Sequence, residues 1–213
     1  TTNNPGSNTT NTVTLSAAPL GIAVVGTYNG TTSYTNGTGD AVITLTGLVG
    51  SDLGKNGVTA AVNSPNVSAN GTNFVGSITS SAFTVGNYAL YDTTSTVAKY
   101  NAAAGNTQNV VTLSKAPLGI NLNATYNGSD SYTSTIKTNG LVGSDVTPGV
   151  ASVTINSANV ASNTSNYIKT VTGASGVNDT NLLNNYYISS SATGSATTNN
   201  PGSNTTNTVT LSA

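Results

Sequence analysis

Residues 1–17 read TTNNPGSNTTNTVTLSA, and residues 197–213 repeat the same 17 letters, so one segment recurs at a spacing of 196. A second, looser repeat lies inside the first. The stretch from Val13, VTLSAAPLGIAVVGTYNGTTSYT, matches VTLSKAPLGINLNATYNGSDSYT from Val111 at 16 of 23 positions, at an offset of 98, half of 196. The offset slips to 93 for GLVGSD at Gly47 and Gly140 and for VNSPNVSAN at Val62 beside INSANVASN at Ile155. It returns to 98 at Asn87-Tyr88 and Asn185-Tyr186, so insertions and deletions cancel within a unit, which places them in loops. A chain with this pattern folds as an array of alternating homologous units of about 98 residues. It reads as a start of repeat or linker over 1–12, a first unit over 13–108, a second over 109–206, and the opening strand of the next over 207–213. Lacking an initiator Met, it reads as a stretch of a longer, processed polypeptide.

The letters filling these units decide their class. Thr (39) and Asn (31) dominate with Gly (23), while Glu, Arg and Met are missing, which starves helices and leaves β-branched strand formers. Period-two runs mark strands at Val13 to Leu15, Ile22 to Tyr28, Ala41 to Leu45, Val58 to Val62, Phe74 to Ile78, Tyr88 to Tyr91 and Val110 to Leu113. Asn-Gly pairs at 29–30, 36–37, 56–57, 70–71, 127–128 and 139–140 supply left-handed turn positions. About seven short strands per unit predict an all-β fold of tandem immunoglobulin-like β-sandwich domains. Pro19 and Pro117, just after VTLS, are expected to stop one strand and launch another. The stretches Thr93 to Gln108 and Ser189 to Asn207, rich in small and polar residues, read as linkers or boundary strands.

Five bases, all Lys, and six acids, all Asp, make only 5% of the chain charged, and His, Cys and Trp are absent as well. Imidazole bases, thiol nucleophiles, thiolate metal sites and guanidinium clamps are therefore missing together, which argues against an enzyme. No basic patch exists to neutralise phosphates, so nucleic acid is not an expected partner. No apolar run approaches the roughly 20 residues of a membrane-spanning helix. Absence of Cys fits either a reducing compartment or a large surface protein of a bacterium, and the composition favours the second.

Tyr28-Asn29-Gly30 and Tyr126-Asn127-Gly128 stand where a Tyr-Asp-Gly signature opens one class of bacterial surface repeats, followed by Thr31 or Ser129. With the GLVGSD blocks holding Asp52 and Asp145, and the endings Asn87-Tyr88 and Asn185-Tyr186, the chain resembles the tandem YDG-type β-domains of large haemagglutinin-like adhesins. Asn replaces the signature Asp in both copies. The resemblance implies an extracellular stalk or filament, neighbouring copies of the same repeat as partners, and no catalytic residue or cofactor.

Candidate chemistry is sparse. Asp52 and Asp145 are the only acids that correspond between the units. One carboxylate per unit serves hydrogen bonding at a turn or strand start, and leaves room for no more than a weak calcium site. The lysines fall at non-equivalent positions, which argues against a built-in Lys–Asn crosslink and for solubilising side chains. The matched rings, Tyr28 with Tyr126, Tyr34 with Tyr132, Phe74 with Tyr167 and Tyr88 with Tyr186, read as packing. Tyr91, Tyr100 and Tyr187 are the candidates for exposed contacts. The VTLS segments, Val13 and Leu15, Val111 and Leu113, Val209 and Leu211, are candidate inter-domain or donor strands. The expected role is a structural repeat of an extracellular fibre or giant adhesin. The alternatives are a subunit polymerised by strand exchange and a module binding glycan or ice through Thr and Asn.

Overall fold

The computed structural model describes residues 13–90, 109–146, 148–174, 182–188 and 207–213. Strands make up 49% of the described residues. No α-helix occurs among the described residues.

The first half contains β1 (Ala18–Thr27), β2 (Ser33–Thr35), β3 (Ala41–Thr46), β4 (Val58–Val62), β5 (Val75–Ser80), β6 (Tyr88–Leu90) and β7 (Asn109–Ser114). The second contains β8 (Ala116–Thr125), β9 (Ser131–Thr135), β10 (Lys137–Asn139), β11 (Val150–Ile155), β12 (Ile168–Thr172), β13 (Tyr186–Ile188) and β14 (Asn207–Ser212). The two sets have the same topology. One sheet runs β3-β1-β6 with β7 also on β1; its counterpart runs β10-β8-β13 with β14 on β8. The other sheets are β2-β4-β5 and β9-β11-β12. In each half, residues of both sheets feed one hydrophobic cluster, because alternate Val, Ile and Ala side chains of β4 and β11 point the same way.

The VTLS segments correct the expected boundaries. Val111 and Leu113 are buried in the first cluster, and β7 pairs in parallel with β1 from Ile22↔Asn109 to Thr27↔Ser114. Val209 and Leu211 likewise enter the second cluster, with β14 parallel to β8. The segment therefore closes the unit before it, and units expected to begin at residues 109 and 207 begin one strand later. The first copy, Val13 and Leu15, lies ahead of both described units. It forms no strand, and its side chains are 81% and 88% exposed.

Three smaller expectations also change. Pro19 and Pro117 lie inside β1 and β8. Residues 18–20 pair only with β6, so a missing N–H is tolerated there, and the chain passes through to its other partners from Gly21 onward. Gly57 does not take a left-handed conformation, whereas the glycines of the other five Asn-Gly pairs do. The short β2 is an addition to the strands read from periodicity. The proposed linkers lie outside the described residues except for Asn207, which opens β14.

Candidate functional site

The recurrent sequence blocks converge where the two halves meet. On the first half, β1 is followed directly by Tyr28, whose N–H donates to Ser114 O at 2.8 Å, so the closing strand β7 fixes its backbone. The next two residues make the turn. Asn29 Oδ1 accepts from Thr31 N at 2.9 Å, and its Nδ2 donates to Ser33 O at 3.0 Å and to Asp40 Oδ2 at 2.9 Å. An aspartate has no donor for Ser33 O, so an amide at this position has a local structural reason. Gly30 follows with φ 73°.

On the second half, the GLVGSD loop turns back on itself, with Asp145 N donating to Val142 O at 3.2 Å. Tyr186, at the start of β13, accepts from Val142 N at 2.9 Å and donates to Asp145 Oδ2 at 2.8 Å. Burial pushes its phenol well above the usual tyrosine range, so it remains a donor.

Tyr28 enters this frame as a plug. Its side chain is fully buried, within the cluster of the second half rather than its own. The hydroxyl donates to the same Asp145 Oδ2 at 2.8 Å, and the ring meets Tyr186 edge-on, centroids 5.2 Å apart at 78°. Gly30 and Gly143 touch backbone to backbone. A Cβ on Gly30 would stand 2.7 Å from Val142 O and 2.8 Å from Gly143 Cα, and one on Gly143 would stand 2.8 Å from Gly30 Cα. Beside them Asn185, buried, accepts from Val67 N at 2.9 Å and donates to Asn66 Oδ1 at 2.9 Å. Val67 packs against both clusters.

The socket of the first half has the same internal geometry. Tyr88 accepts from Val49 N at 3.2 Å and donates to Asp52 Oδ2 at 2.9 Å. Lys55 adds an ion pair to Asp52 Oδ1 at 2.9 Å. That hydrogen bond, followed by the one from Tyr88, holds the Asp52 carboxyl below the usual carboxylate range. On the second half Tyr126, Asn127 and Gly128 keep the plug's form: Tyr126 N donates to Ser212 O at 2.8 Å, Asn127 locks its turn through Ser129 N at 2.8 Å, and Gly128 has φ 78°.

The aspartates expected at turns or strand starts thus accept tyrosine hydroxyls as well. Among the described residues, no group of three or more acidic, His or Cys side chains gathers as for a metal. Tyr34 and Tyr132 are core residues, Phe74 and Tyr167 are half-buried, and Tyr187 is 40% exposed; Tyr91 and Tyr100 lie outside the described residues. Lys55 is engaged in its ion pair, and Lys115 Nζ donates to Leu183 O at 2.6 Å.

The sequence reading missed the asparagines. Asn109 and Asn207 are buried, and each grips one residue of the opposing sheet through both its N–H and C=O, Val75 and Ile168 respectively, at 2.7–2.9 Å. Asn70 holds Leu113 in the same two-point way, and Asn163 holds Leu211. Asn73 and Asn166 do so for Ser64 and Ser157. Their recurrence at matched positions of both halves was the available signal. The contacts of Asn70 and Asn109 pin β7, those of Asn163 and Asn207 pin β14, and each closing strand sets its plug.

Among the described residues no helix is long and apolar enough to cross a membrane. The chain matches no family profile, no curated protein and no solved structure.

Proposed function

We propose that this chain is a structural repeat segment of an extracellular bacterial surface fibre or giant adhesin of the YDG-type class, built from immunoglobulin-like β-sandwich units, with neighbouring copies as its partners and no catalytic role. The observation that carries the reading is the joint between the halves: Tyr28 of one unit sits in the core of the next, with its hydroxyl on Asp145. A flexible string of domains has no use for a ring buried in its neighbour, whereas a load-bearing rod needs fixed angles between units. The near-neutral surface, with 5% charged residues, adds little repulsion to side-by-side association. Reach, cohesion or attachment then come from length.

Electron micrographs of the producing cells test this reading. Filaments labelled by an antibody against the chain are expected, and a denatured mass far above 21.1 kDa marks a covalent array. A labelled surface without filaments overturns it.

A second reading has one observation in its favour. Val13 and Leu15 are exposed, yet they repeat the sequence that lies buried at Val209 and Leu211. A subunit of about this length, polymerised by donating that strand to a neighbour, has a denatured mass near 21.1 kDa.

A further inference from the structure

We infer that the two ends of the chain are the unused halves of a second joint, in which Tyr126 of one copy inserts against Asp52 and Tyr88 of the next copy. The inference rests on the tandem-repeat reading and names the partner that reading requires.

Three residues buried at the joint between the halves, Tyr28, Val142 and Asn185, have exposed counterparts. Tyr28 is 0% exposed, Tyr126 is 51% exposed, Val142 is 7% exposed and Val49 is 56% exposed. Asn185 is buried and Asn87 is exposed. The backbone shapes are already complementary. Gly30 and Gly143 meet with φ of 73° and 61°; Gly128 and Gly50 carry 78° and 60°, and nothing lies within 4 Å of a Cβ built on either. The carboxylate is placed to accept. In the occupied joint both tyrosine hydroxyls use Asp145 Oδ2. In the other socket Tyr88 holds Asp52 Oδ2 while Lys55 sits on Oδ1, so the site that Tyr126 needs is the one Tyr28 uses on Asp145. In the tandem-repeat reading the period of 196 puts the partner at hand: Ala213 stands where Ala17 does, so a further period would place the next socket in the same polypeptide, at high effective concentration.

Joints therefore alternate along the array. One is held by two tyrosines and a carboxylate; the other adds a lysine, because Lys55 has no lysine counterpart in the second unit.

The test compares this chain with one extended by a further period, residues 18–213 repeated after Ala213. Tyrosines are nitrated with tetranitromethane and their peptides weighed. Tyr126 reacts fully in the single chain. In the extended chain one of its two copies is expected to react at least about tenfold more slowly, as for a joint open less than a tenth of the time. Gly128→Ala in the first copy blocks the backbone contact without touching anything in the single chain, and is expected to restore full reaction. Gly37→Ala, with the same left-handed strain at φ 82° and no neighbours, leaves the protection intact. Equal reaction of both Tyr126 copies, or protection that survives Gly128→Ala, overturns the inference. That failure leaves filaments of freely hinged pairs visible in micrographs, whereas a surface without filaments removes the fibre reading and leaves the nitration result standing.

Discussion

Tyr28 and Asp145 are 117 residues apart, and the phenol of one reaches the carboxylate of the other at 2.8 Å inside a hydrophobic cluster that belongs to the second half. Sequence blocks that recur in both halves are thereby divided between two roles. Tyr-Asn-Gly is the plug, GLVGSD with the later Asn-Tyr is the socket, and each unit carries one of each.

This arrangement separates the hydroxyl's contribution from the ring's. Tyr28→Phe keeps the edge contact with Tyr186 and loses one bond to a carboxylate, so the coupling between halves should weaken by about 1.5–3 kcal/mol. Tyr28→Ala empties the socket and should cost about 3–5 kcal/mol. Tyr126→Phe in the same chain should change little. Urea unfolding followed by circular dichroism measures all three, and equal effects of Tyr28→Phe and Tyr126→Phe contradict the plug assignment.

Gly30 tests the backbone contact. Alanine there meets Val142 O at 2.7 Å, and a carbonyl fixed in a tight loop has nowhere to go. The halves should separate, raising the maximum dimension seen by small-angle scattering. Gly37→Ala should cost only left-handed strain, about 1–2 kcal/mol, and leave the scattering profile unchanged.

Asn109 makes its two bonds to Val75 in a buried site. Asn109→Ala strands an N–H and a C=O away from water, a loss of about 2–4 kcal/mol. Asn109→Asp still accepts from Val75 N but cannot donate to Val75 O, and it buries a charge, so it should be no milder. Thermal unfolding by calorimetry ranks the two, and a near-neutral Asn109→Ala removes the role assigned to these amides.

Much of this was legible beforehand, and the rest was hidden for a definable reason. Alternation in Val58 to Val62 located β4 because period two is a local property, and Asn-Gly at 29–30 or 127–128 located turns because left-handed φ is local too. The same alternation in Val111 and Leu113 shows that one face is buried without saying against which sheet. Sequence order alone places the strand with the unit after it, although its partners lie in the unit before. Tyr28 reads as packing, and it packs, but burial preference does not name the core that receives a ring. The three pairs of bidentate asparagines were lost in an Asn-rich background, and Ser33 to Thr35 is too short to show a period.

Acid and alkali act on different groups. The Asp52 carboxyl is held low by Lys55 and then Tyr88, so it binds fewer protons folded than unfolded near the ordinary carboxylate value of ~3.9. Its contribution is complete above that value and is lost as the pH falls through its lowered pKa. Lys55→Gln should raise the midpoint seen in carboxyl carbon chemical shifts, and an unmoved midpoint contradicts the ion pair. Burial raises Tyr186 instead, so its stabilising effect is complete below about 10, the ordinary phenol value, and fades as the pH climbs beyond it. Stability measured from pH 9 to 12 should fall, and less steeply in Tyr186→Phe.

Removing residues 207–213 should convert the chain into a polymer. The deletion takes away β14, which pairs with β8 from Ile120↔Asn207 to Thr125↔Ser212, and uncovers the cluster that Val209 and Leu211 help to close. Residues 11–16 carry the same six letters, and their described part, from Val13, is exposed and in no strand. The vacated groove of one molecule and the N-terminal segment of another are then complementary in sequence and register. The segment lies on the other unit, so a head-to-tail chain forms more readily than a closed ring. Sedimentation velocity should show a concentration-dependent ladder for the shortened chain and a single species for the complete one. A synthetic peptide of residues 207–213 added in excess should cap the ladder by occupying the groove, and Leu211→Asp in that peptide should abolish the capping, since a carboxylate replaces a side chain buried at that position. A shortened chain that stays monomeric and folded contradicts the assignment of β14 as the strand that completes its unit.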